Sequence, residues 1–305
     1  MLVLGTLIAC GGDPVDSAAA FLPSPYLVDE VEAPPPGLSE AGVEAAVAEA
    51  IGTAWNLNAG PVLAGYQAAV AGAEAGCPDL YAGDGNVYWY DQCESADGTR
   101  FEGYAQHQAY VGVVAEDGTV YDGEALYTVA TVVDPQGYTF AGAGAAYTVR
   151  YNGVGSTNWQ SGLAGSFAWD GPEAAGTWLA SGLDPELTLQ AVGSTADPGA
   201  RYAAIDGGIG GLDDAYVSAV VFDHLVIYTS AWGSACPTEP GGAIAVRDAE
   251  GGWIDVLFDG PTDFGEPMVD PSQCDGCGTA WYRGEPMGTV CVDATTLLAW
   301  ESAPW

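Results

Sequence analysis

Lysine is missing from this sequence altogether, and five arginines against 41 acidic residues give its 305 residues a net charge of −36. A surface this negative repels phosphate backbones, which proteins grip with clustered Lys and Arg, so nucleic acid is excluded as a partner. Histidine is scarce as well: there are two, and no His-Glu-x-x-His motif occurs. There is no Gly-x-Ser-x-Gly elbow, and the 44 glycines form no phosphate-cradling loop. Serine hydrolase, zincin and nucleotide-dependent chemistry are therefore disfavoured. The apolar run Leu2 to Ala9 falls far short of the roughly 20 residues that a membrane-spanning helix needs.

What is present begins with the acids. They serve solubility and mutual repulsion at a cell surface. A sharper use would be calcium binding, but no loop has the Asp-x-Asp-x-Asp-Gly pattern. Asp84-Gly85-Asn86 and Asp213-Asp214 are fragments of it, so calcium at scattered carboxylates stays unlocalised. A hydrophobic share of 49% and ten tryptophans argue for a packed body rather than a disordered chain.

The first ten residues set the compartment. Leu7-Ile8-Ala9-Cys10 resembles the lipobox of bacterial lipoproteins, in which the preceding segment is cleaved and the cysteine thiol is acylated. No Lys or Arg stands before it, whereas a secretory signal has a basic n-region. Either the true start lies upstream, or the apolar run is fortuitous. Residues 11–38 hold six prolines (Pro14, Pro23, Pro25, Pro34, Pro35, Pro36), which reads as an extended tether for an anchored body. Gly11 after the cysteine resembles the outer-membrane sorting pattern of such proteins. The expectation is lipidation at Cys10, attachment to a membrane through acyl chains, and an extracytoplasmic location.

Six cysteines remain, an even number suited to an oxidising compartment. Cys77 and Cys93 stand alone early in the body and are expected to pair. Cys236, Cys274, Cys277 and Cys291 form a second group with three possible connectivities. Four thiolates there would also suit tetrahedral zinc. A redox reading of Cys274-Asp275-Gly276-Cys277 would need a helix after the first cysteine, yet Gly278 to Tyr282 reads as a turn and a strand.

After the tether, Ser39 is a candidate N-cap, and Val43, Val47, Ala50 and Ile51 repeat on one helix face. Pro61 suits a first helical turn, with Leu63, Tyr66, Val70 and Ala73 following and Gly76 as the stop. From Cys77 the pattern changes to strands. Asp97-Gly98, Asp117-Gly118 and Pro135-Gln136-Gly137 mark turns between runs of Tyr, Val, Thr, Phe and Trp. Leu187 to Ala191 alternates, so one face is buried. Tyr127 to Val133 and Val217 to Tyr228 are apolar on both faces and are expected to be covered on both.

The expected division is a signal segment at 1–9, a lipidated cysteine and tether at 10–38, a helical hairpin at 39–76 and a β body at 77–235. A disulfide-stapled part follows at 236–305, separate or continuous with the body. The fold class is mainly β: an antiparallel β-sandwich or a curled meander sheet with a short N-terminal helical hairpin, or alternatively a β-solenoid-like array.

Neither histidine suggests catalysis. Asp223 and His224 would point to opposite faces of a strand, leaving His224 packed beside Phe222 and Val226. His107, in Gln106-His107-Gln108, reads as exposed between strands. A glycosidase needs two carboxylates across a cleft, and 41 acids make that too easy to satisfy by chance. Exposed aromatic faces can stack on sugar rings. The candidates are Tyr88, Trp89, Tyr90, Trp159, Trp169 and Trp178, with core packing as the default for each.

Cys77-Pro78, Cys93, Asp97-Gly98-Thr99 and Phe101-Glu102-Gly103, with Cys274-Asp275-Gly276-Cys277, Gly284-Glu285 and Cys291-Val292-Asp293, resemble a pattern in acidic, cysteine-paired bacterial surface lipoproteins of unassigned function. The resemblance implies a β-rich exported body and supplies no catalytic residue. The expected function is a lipid-anchored cell-envelope protein with a non-enzymatic binding or structural role. The alternative is a carbohydrate-binding or carbohydrate-hydrolysing surface protein using exposed aromatics and two carboxylates.

Overall fold

The computed structural model describes residues 37–302 except 84–85, 172–175, 181–186, 198, 211–218, 230–235, 237–238, 248–251 and 263–273. Cys10 and nearly all of the tether thus lie outside the described residues.

Two helices open the described chain. In α1 (Glu40–Thr53) the Ser39 hydroxyl accepts from the Gly42 amide at 3.3 Å, satisfying one of the free donors of the first turn. In α2 (Gly60–Ala69) Pro61 occupies the first turn as its missing N–H allows. The helix ends earlier than expected: a 3-10 turn at Val70–Gly72 follows it, and Gly76 belongs instead to the turn before Cys77. The link between the helices is pinned to the sheet, because the Ala59 amide donates to the Ser161 hydroxyl at 2.7 Å.

Everything else is built on one antiparallel sheet of fourteen strands. Its long central members are β3 (Arg100–Val114), β4 (Val120–Val133), β5 (Thr139–Asn152) and β6 (Ser156–Trp169). The edge before them is β1 (Tyr81–Gly83) and β2 (Asn86–Glu94). β7 (Gly176–Ala180) and β8 (Leu187–Ser194) share the place between β6 and β9 (Arg201–Gly210). The order then runs through β10 (Ala219–Tyr228), β11 (Gly241–Arg247), β12 (Trp253–Asp259), β13 (Cys277–Tyr282) and β14 (Glu285–Cys291). Neighbours in sequence are neighbours in space almost throughout. The sheet is a meander and not a stacked array, and β11–β14 are members of it.

The turns fall where the Asp-Gly signals stand. Asp97 and Asp117 accept the amides of Thr99 and Thr119, while Gly98 and Gly118 take up positive φ. Hydrogen bonds to these side chains hold the carboxyls of Asp97 (from Ser95 first) and Asp117 (from Thr119 first) below the usual carboxylate range.

One cluster of buried residues joins α1, α2 and strands from both halves of the sheet. α2 packs on β4, β5 and β6; α1 packs on β11 and β14; a C-terminal 3-10 segment, Ala294–Ser302, packs on β9, β10 and α1. Because α2 lies against the early and central strands and α1 against the late ones, and both belong to one buried cluster, the sheet curls around the pair. Glycines inside the strands make the curl possible. Gly103 (φ 112°) and Gly165 (φ 99°) adopt a conformation open to glycine, and a Cβ on either would overlap a neighbouring carbonyl oxygen, of Val129 or Ala143. Gly65 on α2 similarly brings the Trp169 ring against the helix backbone.

The interior is filled by side chains. Phe101, Leu126, Phe140, Leu163, Leu189 and Ile205 are buried on the inner face, and Val43, Val47, Leu63 and Tyr66 meet them from the helices. Each such residue contributes about 1.5–3 kcal/mol of burial. The two-sided apolar runs divide here. Over the described part of the second, Val220 to Phe222 and Leu225 to Tyr228 are buried. In the first, Tyr127 and Val129 are 54% and 58% exposed, so β4 has one wet face.

Candidate functional site

Because the inner face is packed, the candidate surface is the outer face of β2–β6. There the antiparallel register lays side chains out in rows. One row runs Tyr81, Tyr88, Gln106, Tyr127 and Ala145 across β1 to β5. The next runs Tyr90, Tyr104, Val129, Ala143 and Ser166 across β2 to β6. A third runs Gln92, Glu102, Thr131, Ala141 and Ala168. The first two rows are aromatic at the β2 side, and all three turn small toward β5 and β6. Where they turn small, a cavity of about 520 Å3 opens on the surface, floored partly by the backbone of Gly103 and Gly142.

The rings are held in place. Tyr81 and Tyr88 stack at 5.4 Å and 15°, and Tyr104 and Tyr127 meet edge-on at 6.0 Å. The Tyr104 hydroxyl donates to Gln106 Oε1, and Gln106 Nε2 donates to Asn86 Oδ1, each at 3.1 Å. The Tyr81 hydroxyl donates to the Asp79 carboxylate at 3.3 Å, whose charge holds that phenol above its ordinary pKa. Of the residues lining the cavity, one is acidic, Glu102.

The sequence candidates for sugar stacking separate cleanly. Tyr88 and Tyr90 stand on this surface, Tyr90 being 80% exposed. Trp89, Trp159 and Trp169 do not: they alternate to the inner face and are buried. Trp89 donates through Nε1 to the Tyr66 hydroxyl, Trp159 meets Trp55 edge-on, and Trp169 covers α2. Trp178 lies on β7 opposite Phe167, but its side chain is outside the described residues. Sequence reasoning missed Tyr104, Tyr127 and Val129. The signal was available in the alternation of β4, where Leu126, Thr128, Ala130 and Val132 take the inner positions.

Both histidines depart from expectation. His107 lies within β3 on the inner face, 5.6 Å from the Tyr66 ring, and Nε2 is 2.5 Å from Glu124 Oε1. Gln67 of α2 donates to the same carboxylate. Burial tends to raise the Glu124 pKa, but the hydrogen bonds from His107 and Gln67 outweigh it and the net shift is down. Burial pushes the nearby Tyr66 phenol up to about 12.

His224 is exposed rather than packed, because the ladder is interrupted at a bulge where its φ is 47°. Its partner is Asp206 on β9, not Asp223: the carboxylate accepts the His224 amide at 2.7 Å and lies 3.4 Å from Nδ1.

All six body cysteines are paired, Cys77 with Cys93, Cys236 with Cys274, and Cys277 with Cys291. The four sulfurs considered for zinc are thus engaged in two disulfides, and no group of metal ligands occurs among the described residues. The calcium fragments at 84–85 and 213–214 lie outside them. Between the two C-terminal disulfides sits Glu239, buried, with Oε2 accepting the amides of Asp275 (3.0 Å) and Gly276 (2.7 Å). Its other oxygen is buried without a partner among the described residues. Burial pushes this carboxyl up to about 7, against the Gly276 amide bond, which lowers it.

No known protein family, curated protein or solved structure matches the chain. Three disulfides point to an oxidising, extracytoplasmic environment, and no described helix is long and apolar enough to cross a membrane.

Proposed function

We propose that this chain is a lipid-anchored cell-envelope protein that binds a partner through the outer face of β2–β6 without transforming it. The carrying observation is the surface itself: ordered, exposed tyrosines bordering an open saddle, on a body whose interior is already filled. Binding rather than hydrolysis fits the saddle, since a two-acid glycosidase needs a second carboxyl facing the first, and Glu102 is the one acid in its lining. The anchor rests on Leu7-Ile8-Ala9-Cys10 and the proline-rich stretch that follows. Six oxidised cysteines agree with export.

Intact mass of the protein recovered from membranes tests the reading. The expected product begins at Cys10, carries acyl mass and contains six oxidised cysteines. A product that retains Met1, bears no lipid and has free thiols would overturn it.

A further inference from the structure

Resting on the reading of this face as a binding surface, we infer that its occupant is an uncharged polysaccharide, held by the tyrosine rows of β2–β4 with the chain continuing into the saddle.

Tyr88 and Tyr127 occupy one register row with Gln106 between them. They are two strand spacings apart, about 9.6 Å, which is comparable to the disaccharide repeat of an extended β-linked glycan. Rings placed at this interval meet every second sugar on the same face, with an amide at the intervening position.

A pyranose offers an apolar C–H face and a rim of hydroxyls, so its site needs aromatic planes interleaved with neutral hydrogen-bonding groups. Here Gln106, Thr131 and Ser166 stand among Tyr88, Tyr104 and Tyr127 in the three rows. The hydrogen bonds linking Tyr104, Gln106 and Asn86 fix the Tyr104 ring and the Gln106 amide beforehand, so those side chains lose little freedom on binding.

At −36 the chain repels polyanions, which excludes uronic and phosphate-bearing polymers, and it repels a second copy of itself. A polycation would be drawn to carboxylates over the whole surface and would not need the rings. Small side chains at Ala141, Ala143, Ser166 and Ala168 leave room beyond the last tyrosine for further sugars.

The test is affinity electrophoresis of the exported, oxidised chain in detergent, in native gels containing hydroxyethylcellulose, xylan or glucomannan, with polygalacturonate as the anionic control. Retardation is expected in at least one neutral gel, unaffected by 0.1–0.5 M salt on the order of physiological screening and above. Tyr90→Ala and Tyr127→Ala should each weaken it about tenfold, the scale of one lost aromatic contact. Both rings are exposed, so near-ultraviolet circular dichroism of the core tryptophans should be unchanged and serves as the folding control. Absence of retardation in all three neutral gels, or retardation that both variants retain in full, would overturn the inference. Acylation at Cys10 in the same preparation would leave the anchored reading standing while this one fell.

Discussion

At Gly165 a single hydrogen atom decides whether the sheet can bend. Its φ of 99° and the Ala143 carbonyl lying where a Cβ would go leave no space for alanine. Gly165→Ala should therefore lower stability by about 3 kcal/mol, visible as a reduced urea midpoint at unchanged slope. Gly52, in α1 with nothing near its would-be Cβ, is the control: Gly52→Ala should raise stability by about 0.5–1 kcal/mol. Glu239 gives a second prediction at this scale. Its folded pKa of about 7 lies above the ordinary 4.5, so the folded state binds a proton more tightly than the unfolded one. Its contribution is fully present below about pH 4.5 and is lost as pH rises through about 7. Glu239→Gln should flatten that loss, measured as the difference between the two proteins' midpoints across the interval. Neither feature was legible in advance. Gly165 is one of 44 glycines, and Glu239 becomes unusual through a turn closed by cysteines far along the chain.

Among the elements, α2 is tied to β3 and β4 through one carboxylate that gathers both Gln67 and His107. Glu124→Ala should cost about 1–2 kcal/mol in denaturant unfolding. The sign is opposite to that of Glu239. The Glu124 folded pKa is depressed, so its stabilisation is present above about pH 4.5 and disappears as pH falls through the lowered value. The deficit of the variant should accordingly vanish in acid. The Cys77–Cys93 bridge closes a separation of 16 residues between the end of the helical hairpin and β2. Replacing both cysteines by serine should cost about 3 kcal/mol by the loop-entropy estimate, read from the shift in thermal midpoint. Elements were the most readable level of the sequence. Ser39, Pro61 and the Asp-Gly turns act locally, and each falls where its own chemistry puts it. The run Tyr127 to Val133 misled, because hydrophobicity alone does not distinguish an inner position such as Val132 from an outer tyrosine left open to solvent.

At the scale of the molecule, one face of a fourteen-stranded sheet wraps material drawn from both ends of the described chain. Mainly-β architecture and the helical hairpin could be read from residue patterns. A curled meander was one of the expected forms, but the choice between it and a sandwich could not be read, since the curl arises from glycine kinks and from long-range contacts between α1, β11 and β14. The aromatic surface shared that fate: Tyr88 and Tyr90 were visible as a motif, but Tyr104 and Tyr127 join them only through strand register. Deleting the chain from Ala294 onward removes Leu297 and Trp300, both buried among α1, β9 and β10. That shortened protein should lose cooperative unfolding altogether, observed as a broad, probe-dependent melt in place of one transition.

The same central placement of Leu297 and Trp300 governs how the polypeptide acquires its shape during synthesis. In a chain emerging amino end first, α2 meets β4, β5 and β6 early, but the apolar face of α1 stays unmatched until β11, β14 and the final 3-10 segment arrive. Closure of the core around α1 therefore waits for the last part of the described chain.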